Sequence, residues 1–138
     1  YELTPDALTF AARACPRLAV LNLAECALSV DNASLITVST ECPRLTSLDA
    51  SRCRQFTDAA ITAVAVNCSG MQVLRLTSCR GIEGGSLVAI SKLAALRELV
   101  LANCKRISRP EMLLPLAQCA SPQHLVLRAL PDGVDDIP

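Results

Sequence analysis

The chain is poor in aromatics, with two Phe, one Tyr and no Trp among 138 residues. That excludes a base-stacking platform for single-stranded nucleic acid, which is built on aromatic faces. It also excludes a partner site anchored on the chain's own aromatic side chains. Net charge is absent: thirteen basic and thirteen acidic residues cancel. No global field draws the chain to nucleic acid or to an anionic membrane surface. Long apolar runs are missing too, although 51% of residues are hydrophobic. The charge-free stretch over residues 59–74 is interrupted by Thr62, Asn67, Cys68, Ser69, Gly70 and Gln72. Nothing reads as a bilayer span. The opening Tyr1-Glu2-Leu3-Thr4-Pro5-Asp6 does not have the pattern of a signal peptide, and there is no initiator Met. Histidine is represented by His124 alone.

Cysteine, by contrast, is abundant. It occurs at 15, 26, 42, 53, 68, 79, 104 and 119. One motif accounts for the spacing, Cys-x-x-Leu-x-x-Leu-x-Leu-x-x-Cys, returning every 25 to 27 residues. A period in that range predicts stacked strand–helix units rather than a closed globule. Eight cysteines in a small irregular chain would suggest a disulfide scaffold. Here they follow the apolar repeat, and free Cys behaves as a small, readily buried hydrophobe. The expected compartment is therefore reducing, cytoplasmic or nuclear.

Five segments align. The first runs Cys15-Pro-Arg-Leu18-Ala-Val-Leu21-Asn-Leu23-Ala-Glu-Cys26, and the second Cys42-Pro-Arg-Leu45-Thr-Ser-Leu48-Asp-Ala50-Ser-Arg-Cys53. The third carries Cys68, Met71, Leu74, Leu76 and Cys79 at the same positions. The fourth has Leu93 in the first cysteine's place, then Leu96, Leu99, Leu101 and Cys104. The fifth is degraded, with Cys119, Pro122, Leu125 and Leu127, then Leu130 in place of the second cysteine. The Leu-x-Leu alternation predicts a short strand with one buried face. Between strands the pattern turns helical: Ile61 with Val64 and Ala65, Leu35 with Val38, and Leu87 with Ile90. Thr57-Asp58 is a helix-start signal, and Ser108 with Glu111 has capping-box spacing. Pro115 is expected to shorten or kink the helix it enters.

Residues 3–14 read as the helical half of a unit whose strand is missing, with Pro5 suited to a helix start. The N-terminus lacks the polar cap that a stacked array needs, so the chain is expected to be a fragment of a longer one. The expected organisation is a repeat domain over residues 1–130, with about four to five units, and an acidic irregular tail over 131–138.

The two cysteine columns, the Leu-x-x-Leu-x-Leu core and the Phe56-Thr57-Asp58-x-x-Ile61 segment resemble the cysteine-containing leucine-rich repeats, over about residues 3–130. The resemblance implies an α/β right-handed solenoid, with parallel strands on a concave face and helices on a convex one. That subclass is best known from F-box and leucine-rich-repeat proteins, the substrate-binding subunits of Skp–cullin–F-box ubiquitin ligases. In them an F-box module binds the Skp adaptor and the concave repeat surface binds the substrate. No F-box pattern is visible here, so Skp adaptor and cullin would engage through a region outside these residues. The same repeats also occur in proteins without an F-box, among them scaffold subunits of ciliary and other assemblies.

Catalysis and metal binding find little support. Zinc sites want Cys-x-x-Cys pairs or close Cys and His, whereas the shortest Cys spacing here is 11. A Cys-His nucleophile needs an identifiable base and an orienting group, and His124 falls in the weakest repeat. The segment Gly81-Ile-Glu-Gly84-Gly85-Ser86 has a faint look of a phosphate cradle but lacks the Lys-Ser/Thr of a P-loop; a connecting loop explains it better. No catalytic residue, metal or cofactor is expected.

Surface display is the expected function. Strand alternation places Asn22, Asp49, Arg75, Glu98, Val100 and Val126 on the exposed sheet face, where valines could form a contact site or simply favour a strand. Arg52, Arg54, Arg80, Lys105 and Arg106 cluster around the second cysteine column, and stacking should align them along one rim. That rim suits an acidic or phosphorylated peptide, unless it is only a solvated edge. The leading expectation is a non-enzymatic protein-binding module, the substrate-recognition part of a ligase subunit; the alternative is a structural scaffold. Neither nucleic acid nor membrane is expected as a partner.

Overall fold

The Leu-x-Leu segments become three-residue strands in the computed structural model, which describes residues 3–26 and 29–118. They are β1 (Val20–Asn22), β2 (Ser47–Asp49), β3 (Val73–Arg75) and β4 (Glu98–Val100). All pair in parallel, in chain order β1-β2-β3-β4. Parallel neighbours need a crossover connection, and the helical segments supply it. These are α1 (Pro5–Ala14), α2 (Asn32–Glu41), α3 (Asp58–Asn67) and α4 (Leu87–Ser91), followed by a 3₁₀ helix, Pro110–Gln118. Successive helices pack against one another. The result is an α/β architecture in which strand and helix alternate.

Register explains the core. Leu21, Leu48, Leu74 and Leu99 stand in one row across the sheet. Leu48, Leu74 and Leu99 are fully buried, while Leu21, on the edge strand, is half-buried. Leu45, Met71 and Leu96 form a buried row before the strands; Leu23, Ala50, Leu76 and Leu101 form another after them. A further buried row, Val30, Phe56, Ile82 and Ile107, closes the loop to each helix. Each such side chain contributes on the order of 2 kcal/mol relative to exposure. Leu35, Ile61 and Leu87 complete the core from the helices.

Helix starts follow local chemistry. Thr4 caps α1 by accepting from the Ala7 N–H at 3.1 Å, with Pro5 in the first turn. Asp31 and Ser34 form a reciprocal capping box on α2. The Thr57 expectation needs correction. Thr57 occupies the N-cap position of α3, but its side chain makes no capping bond. Its hydroxyl accepts from Asn32 Nδ2 at 2.7 Å instead, so it ties two units together. The capping box expected at Ser108 and Glu111 gives way to the 3₁₀ helix, in which Pro115 is internal. Proline there cannot donate an α-helical bond. Cys15, Cys42 and Cys68 end α1, α2 and α3, as their column suggested.

One backbone position is repeatedly left-handed. Glu25, Arg52, Ser78 and Asn103, each just before a cysteine, have φ of 70°, 64°, 58° and 56°. None is glycine, and each such residue costs on the order of 1 kcal/mol. The turn is held by the neighbouring unit. The N–H groups of Glu25, Arg52 and Ser78 donate to the carbonyls of Ser51, Thr77 and Ala102 in the following unit.

Candidate protein-binding surfaces

The exposed sheet face is built from the rows flanking the leucines. Val20, Ser47, Val73 and Glu98 form one, and Asn22, Asp49, Arg75 and Val100 the other. Much of its polarity is used locally. Asn22 Oδ1 accepts from the Ala24 N–H at 2.9 Å, and Asp49 Oδ1 from the Ser51 N–H at 3.0 Å. Both are Asx turns that end a strand. Arg75 reaches Glu98 Oε2 through Nε at 3.2 Å and Nη2 at 3.0 Å. Val100 does not behave as the alternation suggested: it is 6% exposed, not open to a partner. Its register partner is Arg75, whose guanidinium reaches Glu98 on the same strand as Val100. Val126, the other valine expected there, lies outside the described residues, as does His124.

The basic rim divides into separate groups. Arg52 pairs with Glu25 at 3.2 Å, with both side chains largely exposed. Such a pair contributes at most about 1 kcal/mol. Arg54, Arg80 and Arg106 line one shallow depression of about 450 Å³, together with Thr57, Asp58, Ala59, Gly81 and Glu83. Lys105 is exposed but is not part of that lining. Arg106 occupies the repeat position held by Gly81 one unit earlier, and both residues line this depression. Arg106 pairs with Glu83. Among the described residues, Arg54 and Arg80 have no carboxylate within ion-pair distance.

The Gly81–Ser86 loop does cradle an anion, and the anion is internal. Asp58 Oδ2 accepts from the Glu83 N–H at 2.9 Å. Asp58 Oδ1 accepts from the Ser86 N–H at 3.0 Å and the Ser86 hydroxyl at 2.7 Å. The faint phosphate-cradle look of this sequence thus reflects a loop shaped around a neighbouring unit's side chain. Asn32 does the same one unit earlier, accepting from the Thr57 N–H at 2.9 Å. Burial pushes the Asp58 carboxyl up, but the Ser86 hydroxyl and the N–H groups of Glu83, Ser86 and Gly84 outweigh it and hold it below its ordinary value. A depressed carboxyl stabilises above its unfolded pKa and loses that contribution as pH falls through the folded value. Asp58→Ala should therefore cost about 2 kcal/mol near neutral pH and distinctly less near pH 2. Urea unfolding of both proteins at the two pH values measures this.

The thiols are structural. Cys53, Cys79 and Cys104 donate to the carbonyls of Leu23 at 3.1 Å, Ala50 at 3.1 Å and Leu76 at 2.9 Å. Cys42 reaches Ala12 and Cys15 carbonyls, and Cys68 those of Ser39 and Cys42. All five are buried and free. Burial pushes Cys53 and Cys79 up to about 12, and Cys68 and Cys104 up to about 11. A thiol so protonated is a poor nucleophile and a poor metal ligand. Cys15 is exposed and Cys26 half-buried, since no described unit packs on their N-terminal side. Among the described residues, no group of three or more His, Cys, Asp or Glu could hold a metal ion. No described helix is long and apolar enough to cross a membrane.

A surface that sequence reasoning missed lies on the helices. Ile36, Val88 and Leu114 are exposed by 36%, 50% and 66%. They occupy one position of successive units, with Thr62 between them in the series. Phe10 and Val66 are exposed as well. The signal was present as a 26-residue interval, hidden because the inward-facing rows share it. A comparison of the chain with protein-family models finds no match.

Proposed function

We propose that this chain is a non-enzymatic protein-interaction module, a leucine-rich-repeat solenoid segment that recognises the substrate of an F-box-type ubiquitin ligase. The observation that supports this reading is the unshifted register of four parallel strands. It sets side chains of equal repeat position in rows along one face, as a display surface requires. The module would position a protein while separate subunits, Skp adaptor and cullin among them, supply the transfer chemistry. Its compartment would be cytoplasmic or nuclear, where the free thiols stay reduced. The test is affinity purification of the full-length protein: Skp adaptor and cullin are expected as partners, and their absence overturns the ligase role.

A scaffold is the second reading, favoured by the apolar side chains on the helices. Ile36, Val88 and Leu114 suit a face covered permanently inside an assembly. The same purification then yields a complex of fixed stoichiometry lacking both ligase subunits.

A further inference from the structure

Arg54, Arg80 and Arg106 converge on one depression whose lining contains no aromatic side chain. We propose that this depression binds an acidic segment of a partner protein, an extended peptide whose carboxylates meet Arg54 and Arg80; the proposal rests on reading the chain as a protein-binding module. Guanidinium forks match carboxylates in shape and charge. The two acidic residues in the lining do not neutralise these arginines. Asp58 is engaged by its three hydrogen bonds to Glu83 and Ser86. Glu83 is paired with Arg106 and shows how a carboxylate seats against this rim.

Access and spacing agree with an extended ligand. Gly81, where a Cβ would lie 2.1 Å from the Phe56 carbonyl oxygen, brings bare backbone to the lining of the depression. Stacked units lie about 4.8 Å apart at the strands and about 10 Å apart at the helices. Arg54 and Arg80 stand on the strand-to-helix loops of consecutive units, between those two layers, and alternate residues of an extended chain are roughly 6.8 Å apart. Nucleic acid is the poorer fit, because its footprint is a broad basic surface and this chain has no net charge.

The experiment titrates the full-length protein against a labelled alternating Glu–Thr peptide, a matched Gln–Thr peptide and oligothymidylate, by fluorescence anisotropy at low salt. The Glu–Thr peptide should bind best. The double variant Arg54→Glu, Arg80→Glu should weaken it tenfold or more, each exposed ion pair carrying about fivefold. Glu83→Gln, which frees Arg106, should tighten it about fivefold. Arg52→Glu, outside the depression, should leave it unchanged. A thermal melt checks folding, and Arg54→Gln with Arg80→Gln serves if the reversal unfolds the chain. Equal binding of the Gln–Thr peptide, or binding indifferent to Arg54 and Arg80, overturns the proposal. Tighter binding of oligothymidylate through the same arginines also overturns it. If the acidic peptide fails while the full-length protein still purifies with partner proteins, only the rim assignment falls. If no partner proteins are recovered either, the module reading falls with it.

Discussion

Raising the pH above about 9 under reducing conditions is expected to unfold the domain cooperatively, by about pH 10 to 11. Cys53, Cys68, Cys79 and Cys104 are fully buried, and burial pushes their thiols up to about 12, 11, 12 and 11. Unfolded thiols ionise near pH 8.5. A raised folded value means that the stabilising effect is whole below the unfolded pKa and is lost as pH rises toward the folded one. Each thiol then removes about 1.4 kcal/mol per pH unit. Four together remove roughly 5 kcal/mol per pH unit, against a typical domain stability of about 5–15 kcal/mol. Circular dichroism across an alkaline titration reads the transition. Cys79→Ser keeps a donor for the Ala50 carbonyl but does not ionise in this range. It should make the stability–pH slope shallower by about 1.4 kcal/mol per pH unit. An unaltered slope would mean that Cys79 is not buried as described.

Gly81→Ala should destabilise the domain by about 3 kcal/mol, near the upper end for overpacking. The added Cβ would meet the Phe56 carbonyl oxygen at 2.1 Å and its carbon at 3.0 Å. Both are backbone atoms of the preceding unit and cannot swing aside, so relief requires the two units to separate. Gly70→Ala is the matched control. A Cβ there meets nothing within 4 Å, and the lost unfolded-state freedom should stabilise by about 0.4–1 kcal/mol. Urea midpoints of the two variants should move in opposite directions. Equal midpoints would remove the close approach at Gly81 as a structural constraint.

The alternation of strand and helix was legible because leucine and cysteine mark every unit at the same register. Period alone distinguished the strand from the helix, and the Cys columns located the turn and the helix end. The left-handed position before each second cysteine was not legible. Glu25, Arg52, Ser78 and Asn103 share no residue type, and none is the glycine that usually signals positive φ. The grouping of the rim arginines was not legible either. Arg54, Arg80 and Lys105 share a column by count. The side chain that joins the first two in the depression, however, belongs to Arg106. Val100 shows the limit of alternation, which assigns a face but not how deeply a residue on it is buried. The bonds of Asn32 and Asp58 to later units were invisible because a helix-start residue ordinarily serves its own helix.

The buried thiols give the chain a direction. The nearest acceptor of each lies in the unit before: Leu23 for Cys53, Ala50 for Cys79 and Leu76 for Cys104. Removing a unit from the C-terminal side would leave every remaining buried thiol with its acceptor. Removing one from the N-terminal side would strand the thiols of the next, buried or newly wet, without a carbonyl to meet. For the thiols, dependence between units therefore runs one way, like courses of masonry, while the N–H groups of Glu25, Arg52 and Ser78 lean on the unit that follows. A duplicated unit joins without orphaning a thiol when it lands on a finished course.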